Sequence, residues 1–337
     1  MFAYGADIGW LKQFEDMGYV WIDENGIQKD ILDILKSMGV NALRFRVFVN
    51  PPENGVWVKS PEDIVYLGYA DEKRVLESAK RAAVKNFRVM IDFHYSDYFA
   101  DPGCQLMPKA WEGHSYDRLL GDVYEHTYHV LETLTDNGII PEWVQIGNEI
   151  NNGMMLPVGS AKEDFRKLAG LLNRGYEAVK AVSPASKVIT HVAEGQDMVF
   201  CRDFFDRFLW ECGGKTDMIG ISFYPYIVTR YLGGDYEESI DNAVENVKAL
   251  SERYEKDIMV CEIGEDEEQE EKGYRLADTM IKALKSIPSE RGGGIFWWEP
   301  ESNSALLPDG YAMGATRMMG EKTLQFTKAL CAFRDNL

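Results

Sequence analysis

Short apolar runs recur along this chain of 337 residues, and each is followed by a longer stretch in which apolar positions return every three or four residues. The runs that lack alternation predict strands covered on both faces, while the 3.6-residue period predicts amphipathic helices. Strands are expected at 3–8, 42–48, 88–93, 143–146, 187–191, 218–222, 257–261 and 294–298. Helices are expected between and after them at 29–38, 71–86, 116–137, 161–183, 198–212, 239–254, 273–287 and 322–333. Helix stops are legible at Met38-Gly39, at Asn86, at Asn137-Gly138 and at Ser183-Pro184. Eight strand-then-helix repeats, with no Pro/Gly/Ser-rich linker between them, predict an α/β chain folded as a single (β/α)8 TIM barrel, one catalytic domain over 1–337. A doubly wound open sheet is the alternative topology.

A barrel makes a demand on the sequence: chemistry should gather where strands end and βα loops begin. The strand ends read Arg44-Phe45-Arg46, Asp92-Phe93-His94-Tyr95-Ser96-Asp97, Asn148-Glu149, Ser222-Phe223-Tyr224-Pro225, Glu262 and Trp297-Trp298-Glu299-Pro300. The opposite connections carry ordinary turn residues such as Gly39, Asn86 and Gly138. Val144-Gln145-Ile146-Gly147-Asn148-Glu149 and Asp257-Ile258-Met259-Val260-Cys261-Glu262 each end a buried run in a carboxylate. Two such glutamates at one mouth are the minimum equipment for cleaving a glycosidic bond.

Charge narrows the function classes. With 55 acidic against 36 basic residues the formal net charge is −19, which opposes nucleic acid and anionic membrane as partners. No run of about 18 apolar residues is present to cross a bilayer. Five scattered cysteines, without CxxC spacing, fit reduced thiols better than a disulfide framework. Residues 1–10 lack a basic start followed by an apolar run, so no signal peptide and a cytoplasmic location are expected. The acidic run 265–271 reads as a solvated loop entering a helix N-terminus, where negative charge suits the dipole. Asp92, His94, Asp97 and Asp101 suggest a metal cluster, but 97–102 reads better as a turn with side-chain-to-backbone bonds; no metal and no cofactor are expected.

These residues resemble the clan A glycoside hydrolases, and specifically glycoside hydrolase family 53, the endo-β-1,4-galactanases. The likeness runs from Gly5-Ala6-Asp7 through Gly39-Val40-Asn41 and Arg44–Val47. It is densest at Asp92-Phe93-His94-Tyr95-Ser96-Asp97 with Ala100-Asp101-Pro102, and continues through Gln145–Ile150, Tyr224-Pro225, Glu262 and Trp298-Glu299-Pro300. The resemblance implies Glu149 as general acid/base and Glu262 as nucleophile of a retaining hydrolase acting on a neutral oligo- or polysaccharide. In that frame Arg46 would hold Glu262 ionised, Asn148 would bond the sugar 2-hydroxyl, Tyr224 would donate to the nucleophile, and Trp298 would floor the sugar ring. Asp92, His94 and Tyr95 are expected among the substrate-binding residues. By strand period Trp297 and Trp298 face opposite ways, so only one lines the cleft.

Departures from the family fall on the aromatic platforms. Phe99 stands where the family usually has Trp, Leu156-Pro157 where Trp-Pro is common, and His191-Val192-Ala193-Glu194-Gly195-Gln196-Asp197 where the loop usually carries aspartate and tryptophan. Fewer platforms suggest a shorter substrate. Another neutral β-linked substrate (mannoside, glucoside or arabinose-containing) and a non-catalytic sugar-binding barrel remain as alternatives.

Overall fold

The computed structural model describes residues 1–337. Eight parallel strands close a barrel: β1 (Ala3–Asp7), β2 (Ala42–Val47), β3 (Arg88–Phe93), β4 (Trp143–Ile146), β5 (Lys187–Val192), β6 (Met218–Phe223), β7 (Asp257–Ile263) and β8 (Gly292–Trp297). Each pairs with its sequence neighbour and β8 returns to β1. The covering helices are α1 (Ile31–Ser37), α2 (Glu72–Val84), α3 (Tyr116–Asp136), α4 (Phe165–Val182), α5 (Met198–Phe205), α6 (Tyr236–Tyr254), α7 (Glu270–Lys285) and α8 (Cys331–Asp335). Their starts are set by acceptor side chains: Asp30, Asp71, Ser115, Asp164, Asp197 and Asp235 each accept a first-turn amide.

The chain's last predicted helix, 322–333, is a correction. Thr323–Phe326 is a strand, antiparallel to Thr316–Met318 and parallel to Val20–Ile22, and only the short α8 follows. The reason is period two: Leu324 and Phe326 are buried while Thr323 and Gln325 lie nearer the surface.

The barrel interior has two zones. Its lower half is an apolar plug of Ala3, Ala42, Met90, Trp143, Ile189, Met218, Met259, Cys261 and Phe296. Above it the inward positions turn polar, with Asp7, Arg44, Asp92, Gln145 and His191 all buried. A large outer core joins the strands' other faces to the helices.

Candidate active site

The polar zone opens into a cavity of about 400 Å³ at the C-terminal ends of the strands, where a (β/α)8 barrel carries its chemistry. Glu149, Glu262, Tyr224, Trp298, His94 and Asn148 all line it. Glu149 and Glu262 approach closely: their nearest carboxylate oxygens, together with a nitrogen of His191, lie within 4.8 Å of one another. Inverting hydrolases hold their carboxyls about 6.5–9.5 Å apart to admit a water, whereas retaining ones need about 5–5.5 Å. The observed separation fits the second arrangement.

Local backbone features aim both acids. Gly147 has φ +78°, and a Cβ there would come within 2.8 Å of Ile150 Cγ2, so only glycine turns the chain off β4 at this point. Glu149 itself sits in the left-handed region at φ 47°. Tyr95, Glu194 and Glu299, each just past the end of another barrel strand, share that conformation. Four non-glycine residues held there at one mouth are the stored strain expected of a preorganised site. Glu262 is aimed differently. On β7, Met259 and Cys261 point into the barrel and Val260 points out, so strict alternation would send Glu262 outward. The β6–β7 register steps from Ile221–Val260 to Ser222–Glu262, and this bulge turns the carboxylate into the cleft.

The two acids stand in different environments. Tyr224 Oη donates to Glu262 Oε2 at 2.9 Å and Arg44 Nη1 donates to Oε1 at 2.9 Å, so both oxygens are held. Burial raises the Glu262 pKa, and the Arg44 charge and these hydrogen bonds oppose that rise. Glu149 has no cationic partner within hydrogen-bonding distance. Burial and then the Glu262 charge push its pKa well above the usual carboxylate range. Separated environments of this kind assign acid and base roles within a carboxyl pair.

The chain matches the family model described as glycosyl hydrolase family 53 over residues 3–333. It belongs to that family. A relative from Emericella nidulans, named arabinogalactan endo-beta-1,4-galactanase A, is 30% identical over 88% of this chain and 84% of its own length. An uncharacterized protein of Niallia circulans is 32% identical over 89% of this chain and 83% of its own. Among solved structures, a fungal β-1,4-galactanase aligns over 98% of both chains with a TM-score of 0.82 at 26% identity.

The structure redistributes several residues within this family 53 site. Arg46 is not the partner of Glu262. It pairs with Glu299 and donates twice to Leu67 O, between the rings of Trp10 and Phe99. Arg44, one pleat deeper on the same inward face, is the cation at Glu262, and it also reaches Asp7, Asp92, Gln145 and Asn148. Tyr95 does not face the cleft: it is fully buried on the helix side, bonded to Thr127 and stacked on Phe93. Asp92 is also out of reach of substrate. It sits beneath the cavity and accepts from Arg44 and Gln145, and its pKa is lowered because Arg44 and His94 outweigh burial. His94 lines the cleft, with Nδ1 accepting from the Ala100 amide and Nε2 therefore donating to Asp92. Asn148 donates to Ala100 O while its Oδ1 faces Arg44 and Gln145. Trp298 reaches the cavity and Trp297 packs outward against α7.

Sequence reasoning missed Arg44, Asp7, Gln145, His191 and Tyr311. Arg44 shares strand parity with Arg46, so the pattern gave no ground to choose between them. Tyr311 lies in the loop after β8 and meets Trp298 edge-on at 4.7 Å. The acidic run is likewise not a free loop: Glu265 is buried and accepts from Tyr236, and Glu267 accepts from Ser304. Glu149, His191 and Glu262 are also the one group of side chains close enough to share a cation. His191 is poorly placed to serve, because its two nitrogens already bond Asn148 and Ser222.

Proposed function

We propose that this chain is a retaining glycoside hydrolase that cleaves β-1,4-galactan or β-1,4-galacto-oligosaccharides by double displacement. The observation that carries the reading is the close approach of Glu149 and Glu262 at the cavity floor, Glu262 held by Arg44 and Tyr224 and Glu149 pushed up in pKa by burial, which favours its protonated form. The galactanase names of its relatives support the choice of sugar.

Glu262 attacks the anomeric carbon while Glu149 donates its proton to the departing oxygen, and the covalent glycosyl-enzyme forms. Glu149, now ionised, takes a proton from water, which attacks the same carbon and releases Glu262 with overall retention. Trp298, with Tyr311 and Trp10 against it, supplies the apolar floor for the ring at the bond being cut.

Incubation with β-1,4-galactan, with the product anomer read by proton NMR at early times, tests this directly. The β product must appear first. Glu262→Gln and Glu149→Gln are each expected to lower kcat by about 10³-fold or more with the fold intact. Azide should rescue Glu149→Ala on an activated aryl substrate by trapping the glycosyl-enzyme as the β-glycosyl azide. An α product from the wild type, or undiminished activity in either Gln variant, would remove the mechanism.

A further inference from the structure

Glu194 and Gln196 stand out among the cavity-lining residues that the proposed chemistry leaves unused. Both are half-buried, and neither side chain bonds to anything in the chain, although the backbone that carries them is fixed on every side. Asn151 clamps Ala193 through both its amide groups, at 2.7 and 3.3 Å. The Gly195 amide donates to Ser222 O at 2.9 Å, and buried Asn246 donates to Gly195 O at 2.8 Å. A Cβ on Gly195 would lie 2.6 Å from Ile221 Cδ1, so this turn is packed against β6. The Asp197 amide closes on Glu194 O, and the Asp197 carboxylate caps α5. Glu194 itself is held at φ 61°. A rigid loop that strains a glutamate into the left-handed region and leaves its carboxylate unpartnered in a cleft is arranged for a ligand.

The loop's position says which part of the ligand. β5 adjoins β4, and the Asn151 clamp ties the loops after these two strands together, so Glu194 belongs to the Glu149 side of the cleft. Trp298 follows β8, and its amide bonds Ile263 next to Glu262, so the aromatic floor belongs to the other side. An acid that protonates the departing oxygen faces the leaving group. The lining holds five carboxylates, Asp101, Glu149, Glu194, Glu262 and Asp309, and no lysine or arginine. Resting on the proposed function above, we infer that Glu194, with Gln196, forms the hydroxyl-binding wall of the leaving-group subsite and selects neutral sugars there over sugars bearing a carboxylate. Ring hydroxyls donate to the Glu194 carboxylate, and the Gln196 amide serves as donor or acceptor. The apolar wall of Ile227, Val228 and Leu232 suits the C–H face of the same ring.

The test compares two leaving groups on one glycone: a nitrophenyl β-1,4-galactobioside, whose phenol offers Glu194 no hydroxyl, and β-1,4-galactotetraose. For Glu194→Ala the ratio of kcat/KM on tetraose to kcat/KM on the aryl substrate should fall on the order of 10-fold, with most of the change in KM for the tetraose. Glu194→Gln, which keeps an acceptor oxygen, should fall less, and it carries the comparison if the Ala variant fails to fold. An unchanged ratio overturns the inference, whether both substrates suffer alike or neither does. If the wild type cleaves no galactoside, the galactan reading fails by itself. The same ratio is then taken on the β-linked oligosaccharide it does cleave and the matching aryl glycoside, with the same criterion.

Discussion

Two arginines on β2, one pleat apart and both pointing into the barrel, do different work. Arg44 is wholly buried and divides its guanidinium among Asp7, Asp92 and Glu262, with Gln145 and Asn148 completing the shell. Arg46, about 6.7 Å further along the strand, closes a compact unit with Glu299 beneath the aromatic floor. Glu299 also accepts the amides of Gly9 and Trp10, so this second cluster joins the loops after β1, β2 and β8. The first cluster is short of positive charge, with one cation for three acids. Burial pushes Asp7 well up despite the Arg44 charge, whereas at Asp92 the neighbouring charges of Arg44 and His94 prevail over burial. The second is matched one to one. A shared cation tunes a reacting group; a matched pair holds a shape.

Breaking the first cluster should do the most damage. Arg44→Met strands three buried acids, and removing one partner of a buried ion pair costs roughly 3–5 kcal/mol, so the variant is expected not to accumulate as folded protein. Arg44→Lys keeps the charge but loses the planar fork that reaches five acceptors. It should fold with a lower melting temperature, lose activity by about 100-fold or more, and move the acidic limb of its pH–rate profile upward, because Glu262 loses the guanidinium hydrogen bond that favours its charged form. Arg46→Lys should lower the melting temperature while leaving that limb in place. If the two lysine variants shift the limb equally, the division of labour between the clusters is wrong.

How much of this was written in the chain depends on which link is asked about. The eight barrel strands and seven of the covering helices follow from period and punctuation, because each element's pattern is local. Glu149 and Glu262 are legible because each closes an apolar run at the mouth. Which arginine serves Glu262 is not, since Arg44 and Arg46 have the same parity and the choice is made by how deep Glu262 reaches after its bulge. Alternation alone would even have sent Glu262 to the wrong face, and only its chemistry argued otherwise. Tyr95 failed for the converse reason: a polar tip on a motif residue suggests a ligand, but its hydroxyl is satisfied by Thr127 between strand and helix. The tail strand Thr323–Phe326 was hidden because its partner, Val20–Ile22, lies at the other end of the sequence.

A smaller perturbation sharpens the tuning half of the comparison. Tyr224→Phe removes the hydroxyl that donates to Glu262 Oε2 without touching Arg44. A hydrogen bond to the charged form favours that form, so its loss raises the Glu262 pKa. The acidic limb of the profile should move up and the bell narrow from that side, while the basic limb, set by Glu149, stays. At neutral pH the loss in kcat should be about 10- to 100-fold, consistent with one hydrogen bond to a charged group worth roughly 1.5–3 kcal/mol. A shift of the basic limb instead would mean that Tyr224 serves the acid.

The smallest expected effect tests the shape-holding half, through Glu301. This side chain is fully buried beside Glu299, and neither of its oxygens has a donor. Burial and then the Glu299 charge push its pKa well above the usual range, which favours the neutral acid in the fold. For a carboxyl raised in the folded state, stability is fully present below the unfolded pKa of about 4.3 and drains away as pH rises toward the folded value. Glu301→Gln keeps the shape and removes the titration. Its melting temperature should match the wild type near pH 4 and exceed it by a few degrees near pH 8, with the galactoside pH–rate profile unchanged. Parallel melting curves at both pH values would show that Glu301 is already charged in the fold, and the cluster around Arg46 would then no longer be matched one to one.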